Sequence, residues 1–268
     1  MSGTGRTGDG HGRLGSVLSG LTVAVGCVLF LGGFAWAALV YRPYTVPTDS
    51  MSPTVAAGSK VLAQRISGDE VRRGDVVVFT DKVWSDSPMV KRVIGTGGDI
   101  VVCCDAKGRL TVDDVPIEEP YLQKPVGSSG DLGDSGASGA SAESEGSAPA
   151  ASSEFSAEVP EGELFLLGDN RVTSLDSRVH MAEEGQGAVP RDTVEARVDA
   201  VVWPSRGMLD RADGFAALPG GISSRGPLPL QLSAVVLGVI LILGGCAYGP
   251  VAAWIRRAKS AEAVAGVR

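Results

Sequence analysis

Ser50 stands in Tyr44-Thr45-Val46-Pro47-Thr48-Asp49-Ser50-Met51-Ser52-Pro53-Thr54, shortly after an uncharged run that ends at Arg42. A hydroxyl nucleophile candidate therefore lies at the edge of an apolar segment. A serine is a weak nucleophile until a base takes its proton, so the bases on offer decide the chemistry. The chain has two histidines, His11 and His180, and His11 precedes the first apolar run. A Ser-His-Asp triad would have to use His180, and nothing near it in sequence singles it out. Zinc usually takes several His or Cys ligands. Between the apolar runs only His180, Cys103 and Cys104 are available, so no metal and no other cofactor is expected.

A lysine can replace histidine as general base if burial lowers its pKa from about 10.4 towards 7 to 8. That shift corresponds to roughly 3 to 4 kcal/mol. Lys91, in Met89-Val90-Lys91-Arg92-Val93-Ile94-Gly95, has the apolar setting this requires. Lys82, Lys107 and Lys124 sit among polar or turn residues, which leaves Lys60 as the competitor. What elimination leaves is a serine with a lysine as its candidate base.

Two apolar segments must position these residues. Residues 14–41 carry no charge and are dominated by Leu, Val, Ala, Phe and Trp, enough for a helix across a hydrocarbon core of roughly 30 Å. A cleavable signal peptide is the rival reading, with cleavage near Ala35-Trp36-Ala37, but its apolar stretch would be shorter. Residues 227–255 form a second uncharged run, densest from Leu230 to Leu243. It reads as a second span, because so short a chain has little protein left to wrap a buried helix this apolar. Arg6 and Arg13 before the first span, and Arg256, Arg257 and Lys259 after the second, put both tails (1–13 and 256–268) in the cytoplasm. Residues 42–212 are then an extracytoplasmic domain, joined by a linker at 213–226 to the second span.

Within that domain the apolar residues fall in short Val-rich segments: Lys60–Ala63, Asp75–Phe79, Val90–Ile94, Ile100–Cys103, Arg109–Val112, Glu163–Leu167 and Ala196–Trp203. Bounded by Gly, Asp and Pro, these are strand signals, and the fold class is mainly β. Gly-Asp pairs at 68–69, 74–75, 98–99 and 168–169 mark tight turns. Residues 127–158, rich in Gly, Ser, Ala and acidic residues, bury too little apolar surface to offset ordering entropy and read as a disordered insertion. Much of the net charge of -7 comes from that insertion, and no clustered basic surface suits a nucleic acid. The adjacent Cys103-Cys104 could stay as thiols, pair with another molecule or, in a strained arrangement, with each other.

Three blocks in this order behind a membrane anchor, Pro47–Thr54, Lys91–Asp99 and Gly168-Asp169-Asn170-Arg171 through Asp176-Ser177-Arg178, resemble the bacterial type I signal peptidases. The resemblance implies a β catalytic ectodomain between two transmembrane helices, with Ser50 as nucleophile and Lys91 as general base. It places Ser174 where the lysine is oriented, and puts the Thr48 hydroxyl and the Ser50 backbone N–H in the oxyanion hole. Arg92, Asp176 and Arg178 become structural support near the site. Val46, Pro47, Met51, Val55, Met89 and Val90 become the lining of shallow pockets for small side chains. The substrates implied are secretory preproteins cut after an A-x-A site, with membrane lipid and the export translocon close by. The sequence departs from relatives at Gly97, where a Pro is usual, at Val172-Thr173, where Asp-Asn is usual, and at Thr48, where Ser is common. The first departure is expected to loosen its turn, and the last keeps a donor. Arg73-Gly74-Asp75-Val76-Val77 matches a further, structural block.

Overall fold

A computed structural model describes residues 10–122, 154–183, 185–204 and 207–265, in two compact units. The first unit holds two helices, α1 (Gly10–Val40) and α2 (Leu228–Ala265). Each contains a stretch long and apolar enough to cross a membrane, Val17–Val40 and Leu228–Val251. Their backbones meet at glycine: a Cβ on Gly238 would lie 2.6 Å from the Phe30 nitrogen and 2.8 Å from the Gly26 oxygen. The Ser19 hydroxyl adds a hydrogen bond to the Gly245 carbonyl at 2.7 Å. Small residues allow this approach, and close packing replaces the hydrophobic drive that lipid does not supply. Leucines and valines such as Leu18, Val28, Leu31, Val236 and Leu243 face outward.

The second unit, Tyr41–Arg225, is built from antiparallel strands. These are β1 (Tyr41–Thr45), β2 (Lys60–Arg65), β3 (Val76–Phe79), β4 (Met89–Thr96), β5 (Ile100–Cys103) and β6 (Leu110–Val112). They are followed by β7 (Val115–Pro116), β8 (Phe155–Glu158), β9 (Glu163–Leu167), β10 (Val189–Pro190), β11 (Val194–Trp203) and β12 (Gly207–Met208). The larger sheet runs β1-β2-β11-β3-β4-β9-β10, with β12 on β11, and the smaller runs β7-β6-β5-β8. Valines of β3, β4 and β11 divide between two apolar clusters of the larger sheet, and Val61 of β2 joins the one that holds Val76, Val78 and Val90. A third cluster joins the smaller sheet to Ile94, Phe165 and Leu167.

Four local expectations change. Tyr41 starts β1 rather than ending the first helix, because its backbone pairs with Gln64. The last residues assigned to the disordered insertion, Phe155–Glu158, form a strand on β5, where Phe155 stacks on Phe165 at 5.7 Å and Ala157 enters the core. Residues 127–153 of the insertion lie outside the described residues. The segment read as a linker is folded onto the β unit: Phe215 is fully buried, Leu218 joins the same core, and Arg73 donates to the Pro219 carbonyl. Gly97 does not loosen its turn, because a Cβ there would stand 2.9 Å from the Glu161 Cα and the Gly162 nitrogen, a crossing only glycine admits. Cys103 and Cys104 are joined to each other as a disulfide.

Candidate active site

The loop between β1 and β2 carries Ser50, and its base is closed by two backbone hydrogen bonds, Val46 N–H to the Ser59 carbonyl and Gly58 N–H to the Val46 carbonyl. Met51 and Val55, both fully buried, pin it to the cluster containing Val46, Val61 and Val90. Apolar side chains facing inward leave the hydroxyl of Ser50 at the surface of a cavity. The Thr48 hydroxyl donates to the Ser50 oxygen at 3.2 Å.

Lys91 lies on β4 opposite Val77 of β3, with Val90 and Arg92 beside it, and is 5% exposed. Burial lowers its amine to about 8; Asp176 and Asp169 pull the other way and Arg178 adds to the lowering. Desolvation disfavours the charged ammonium, so a neutral amine becomes accessible near physiological pH. Lys60, the rival base, is exposed at the start of β2.

The segment after β9 clasps both elements. Asn170 donates its backbone N–H to the Ser50 carbonyl at 3.0 Å, and Thr54 hydrogen-bonds Asp169. Asp169 also takes two hydrogen bonds from Arg92, at 2.8 and 2.7 Å, with both side chains almost wholly buried. The guanidinium of Arg92 lies 3.8 Å over the Tyr121 ring. Arg171 pairs with Glu119, whose carboxylate also accepts from the Tyr121 hydroxyl. Of the three residues expected as structural support, Asp176 and Arg178 pair with each other at 2.8 Å, whereas Arg92 pairs with Asp169. The reason is register: Arg92 stands opposite Leu167, so the strand end delivers Asp169 to it. Ser174 is 6% exposed, and its Oγ is buried without a hydrogen-bond partner among the described residues. Gly168 passes so close to Ser174 Oγ and the Ser50 carbonyl that no Cβ fits.

Ser50 and Lys91 line one cavity of about 470 Å³ together with Val46, Pro47, Thr48, Met89 and Val90. Met51 and Val55 are not on its surface; they lie beneath it in the core, because the loop turns them inward. His180, which its sequence setting did not single out, lines the same cavity beside Trp84. Its ring stacks on Trp84 and its Nδ1 lies 3.0 Å from Glu183. The tether of Asn170 to Ser50 and the Trp84–His180 stack were not expected. The Gly168-Asp169-Asn170 turn pointed at the first; nothing in the sequence pointed at the second.

Residues 17–203 match the family model described as signal peptidase, peptidase S26. The chain is similar to a probable signal peptidase I of Mycobacterium leprae (strain TN), 31% identical over 215 residues that cover 62% of this chain and 69% of that protein. It is also similar to signal peptidase I U of Bacillus subtilis (strain 168), 30% identical over 167 residues covering 61% of this chain and 76% of that one. A crystal structure of a signal peptidase I from Enterococcus faecalis V583 matches 47% of this chain and 95% of its own at 26% identity, with a TM-score of 0.33. The two apolar helices, taken with these relatives, make the protein membrane-associated. With the family model spanning most of the chain, the protein belongs to the signal peptidase family, peptidase S26, and is a serine peptidase that cleaves signal peptides.

Proposed function

We propose that Ser50 and Lys91 form the catalytic dyad and that the substrates are exported preproteins cut after small residues of the A-x-A type. The observation that carries this reading is the pairing in one cavity of a serine hydroxyl and a buried lysine whose amine is lowered to about 8. Neutral Lys91 takes the Ser50 proton as Oγ attacks the scissile carbonyl carbon. The lysine then returns that proton to the departing amine, which leaves an ester on Ser50. Lys91 next deprotonates a water that attacks the ester, and the proton passes back to Ser50. The Ser50 N–H and the Thr48 hydroxyl stabilise the oxyanion, for which Thr48 would turn from its hydrogen bond to Ser50. Ser174 orients the amine, and the buried pairs of Arg92, Asp176 and Arg178 hold the frame.

The binding mode follows from register. β9 stops at Leu167 opposite Arg92, which leaves Met89–Lys91 without a strand partner on that side among the described residues. An extended peptide can add there by backbone pairing, its alternate side chains entering the cavity. Val46, Pro47, Met89 and Val90 then meet those side chains, while Met51 and Val55 set the floor. The positive flanks at Arg6, Arg13, Arg256, Arg257 and Lys259 support cytoplasmic termini and an extracytoplasmic catalytic unit, in contact with membrane lipid and near the export translocon. The domain reading becomes two tails, two spans and a β unit that extends past residue 212.

The test is cleavage of a purified preprotein with an A-x-A site by the full chain in detergent, with the new N-terminus sequenced. Wild type should cut after the second alanine, while Ser50→Ala and Lys91→Ala should bind precursor and release no product. Cutting by Lys91→Ala at the wild-type rate would assign the base elsewhere.

A further inference from the structure

The cavity that holds Ser50 and Lys91 has a wall that the proposed chemistry does not use. Trp84 sits in the connection from β3 to β4, in a turn where its N–H donates to Asp81 Oδ1 at 3.1 Å. His180 sits in the segment after β9, where its N–H donates to the Ser177 carbonyl. Their rings stack with centroids 4.6 Å apart and planes 12° from parallel. Each ring is held from outside the stack. Phe79, fully buried, meets Trp84 edge-on at 5.6 Å, and Glu183 holds His180 through Nδ1 at 3.0 Å. Behind His180, Gly187 packs so tightly that a Cβ would stand 3.2 Å from its carbonyl carbon.

The stack joins two segments distant in sequence that both line the cavity. Stacked aromatics give a broad, stiff surface that few rotamer changes can widen. A peptide extended along Met89–Lys91 presents alternate side chains to opposite faces, so one set of positions before the scissile bond must face these rings. A fixed wall admits alanine there and clashes with a branched or aromatic side chain, which is exclusion by shape.

We propose that Trp84 and His180 are specificity-determining residues that reject large side chains at one position before the cleaved bond. This rests on the Ser50–Lys91 reading and adds to it what selects the substrate. The test uses the full chain in detergent and a precursor series with alanine replaced by leucine or phenylalanine, singly, at each of the three positions before the bond. Trp84→Ala and His180→Ala should each raise the ratio of kcat/KM for the bulky precursor over the alanine one by about 10- to 100-fold at a single shared position. Trp84→Phe, which keeps a ring to stack, should retain the wild-type ratio. His180→Ala leaves the core cluster under Trp84 intact and carries the test if Trp84→Ala does not fold. Unchanged ratios at all three positions would overturn the proposal, even if overall rates fell, because a purely structural role lowers both precursors alike. Failure of wild type to cut the alanine precursor would overturn the Ser50–Lys91 reading itself, and is a distinct outcome.

Discussion

Asn170 reaches from the end of β9 to the loop that carries Ser50 and donates its backbone N–H to the carbonyl of Ser50 at 3.0 Å. Its neighbour Asp169 accepts from Thr54 of that loop and from Arg92 of the strand that carries Lys91. Ser50 and Lys91, the proposed nucleophile and base, are therefore tied to one turn by polar contacts, in addition to the apolar packing of Met51 and Val55 under the loop.

Asp169→Asn should be costly. Arg92 is 2% exposed and would keep its charge with its carboxylate partner gone. Breaking such a pair typically costs about 3–5 kcal/mol. Thermal unfolding of the full chain in detergent should show a clearly lowered midpoint, with precursor cleavage falling in parallel. A midpoint equal to wild type would remove Asp169 from the frame.

Thr48→Val keeps the shape of the side chain and deletes its hydroxyl, which now donates to Ser50 Oγ. Loss of one oxyanion donor lowers kcat by about 10²- to 10³-fold, with KM little changed. Steady-state kinetics on a preprotein decides this, and an unchanged kcat would take Thr48 out of the oxyanion hole.

Lys91→Met trades activity for stability. In the folded chain burial lowers the Lys91 amine to about 8, against an ordinary value of 10.5. Between these values the unfolded chain binds more protons, so this group's contribution to stability rises with pH across that window. Below about 8 the full penalty is present, and above 10.5 it is gone. An apolar side chain of similar length removes a penalty of about 3 kcal/mol. The inactive variant should therefore unfold at higher denaturant than wild type near neutral pH, and the gap should close at high pH. A gap of the opposite sign near neutrality would mean the amine is better solvated than its burial implies.

Gly168→Ala places a methyl group against Ser174 Oγ and the Ser50 carbonyl, so Ser174 or the loop that carries Ser50 must shift. Overpacking of this kind costs about 1–3 kcal/mol. Cleavage should fall more steeply than stability, as seen by comparing kcat with the unfolding midpoint. Equal kcat would show that the turn can shift freely.

The strands that frame the site were legible because Val76–Phe79 and Val90–Ile94 are short, β-branched and bounded by glycine and aspartate. β1 was hidden because Tyr41-Arg42-Pro43 follows the apolar helix directly and looks like its polar end. β8 was hidden because Phe155–Glu158 trails a Gly/Ser-rich stretch and acquires its apolar partners only through β5 and Phe165. Ser50 and Lys91 were singled out by their settings taken together with the resemblance of their blocks to the signal peptidases. The choice by Arg92 of Asp169 over Asp176 could not be read this way, since it depends on β4–β9 register. Trp84 and His180 come from two connections distant in sequence, and such a pairing exists only once the strands between them are placed.

The measurement that tests the central claim most directly is the pH dependence of kcat/KM for preprotein cleavage by the full chain, because a Lys91 that serves as the proposed base must be neutral to accept a proton from Ser50. The rate should rise about tenfold per pH unit on the acid side and level off above a midpoint near 8, the value to which burial lowers the amine. A profile that is flat from about pH 6 to about pH 10 would contradict a lysine base, and Lys91 would then be a structural residue of the cavity wall.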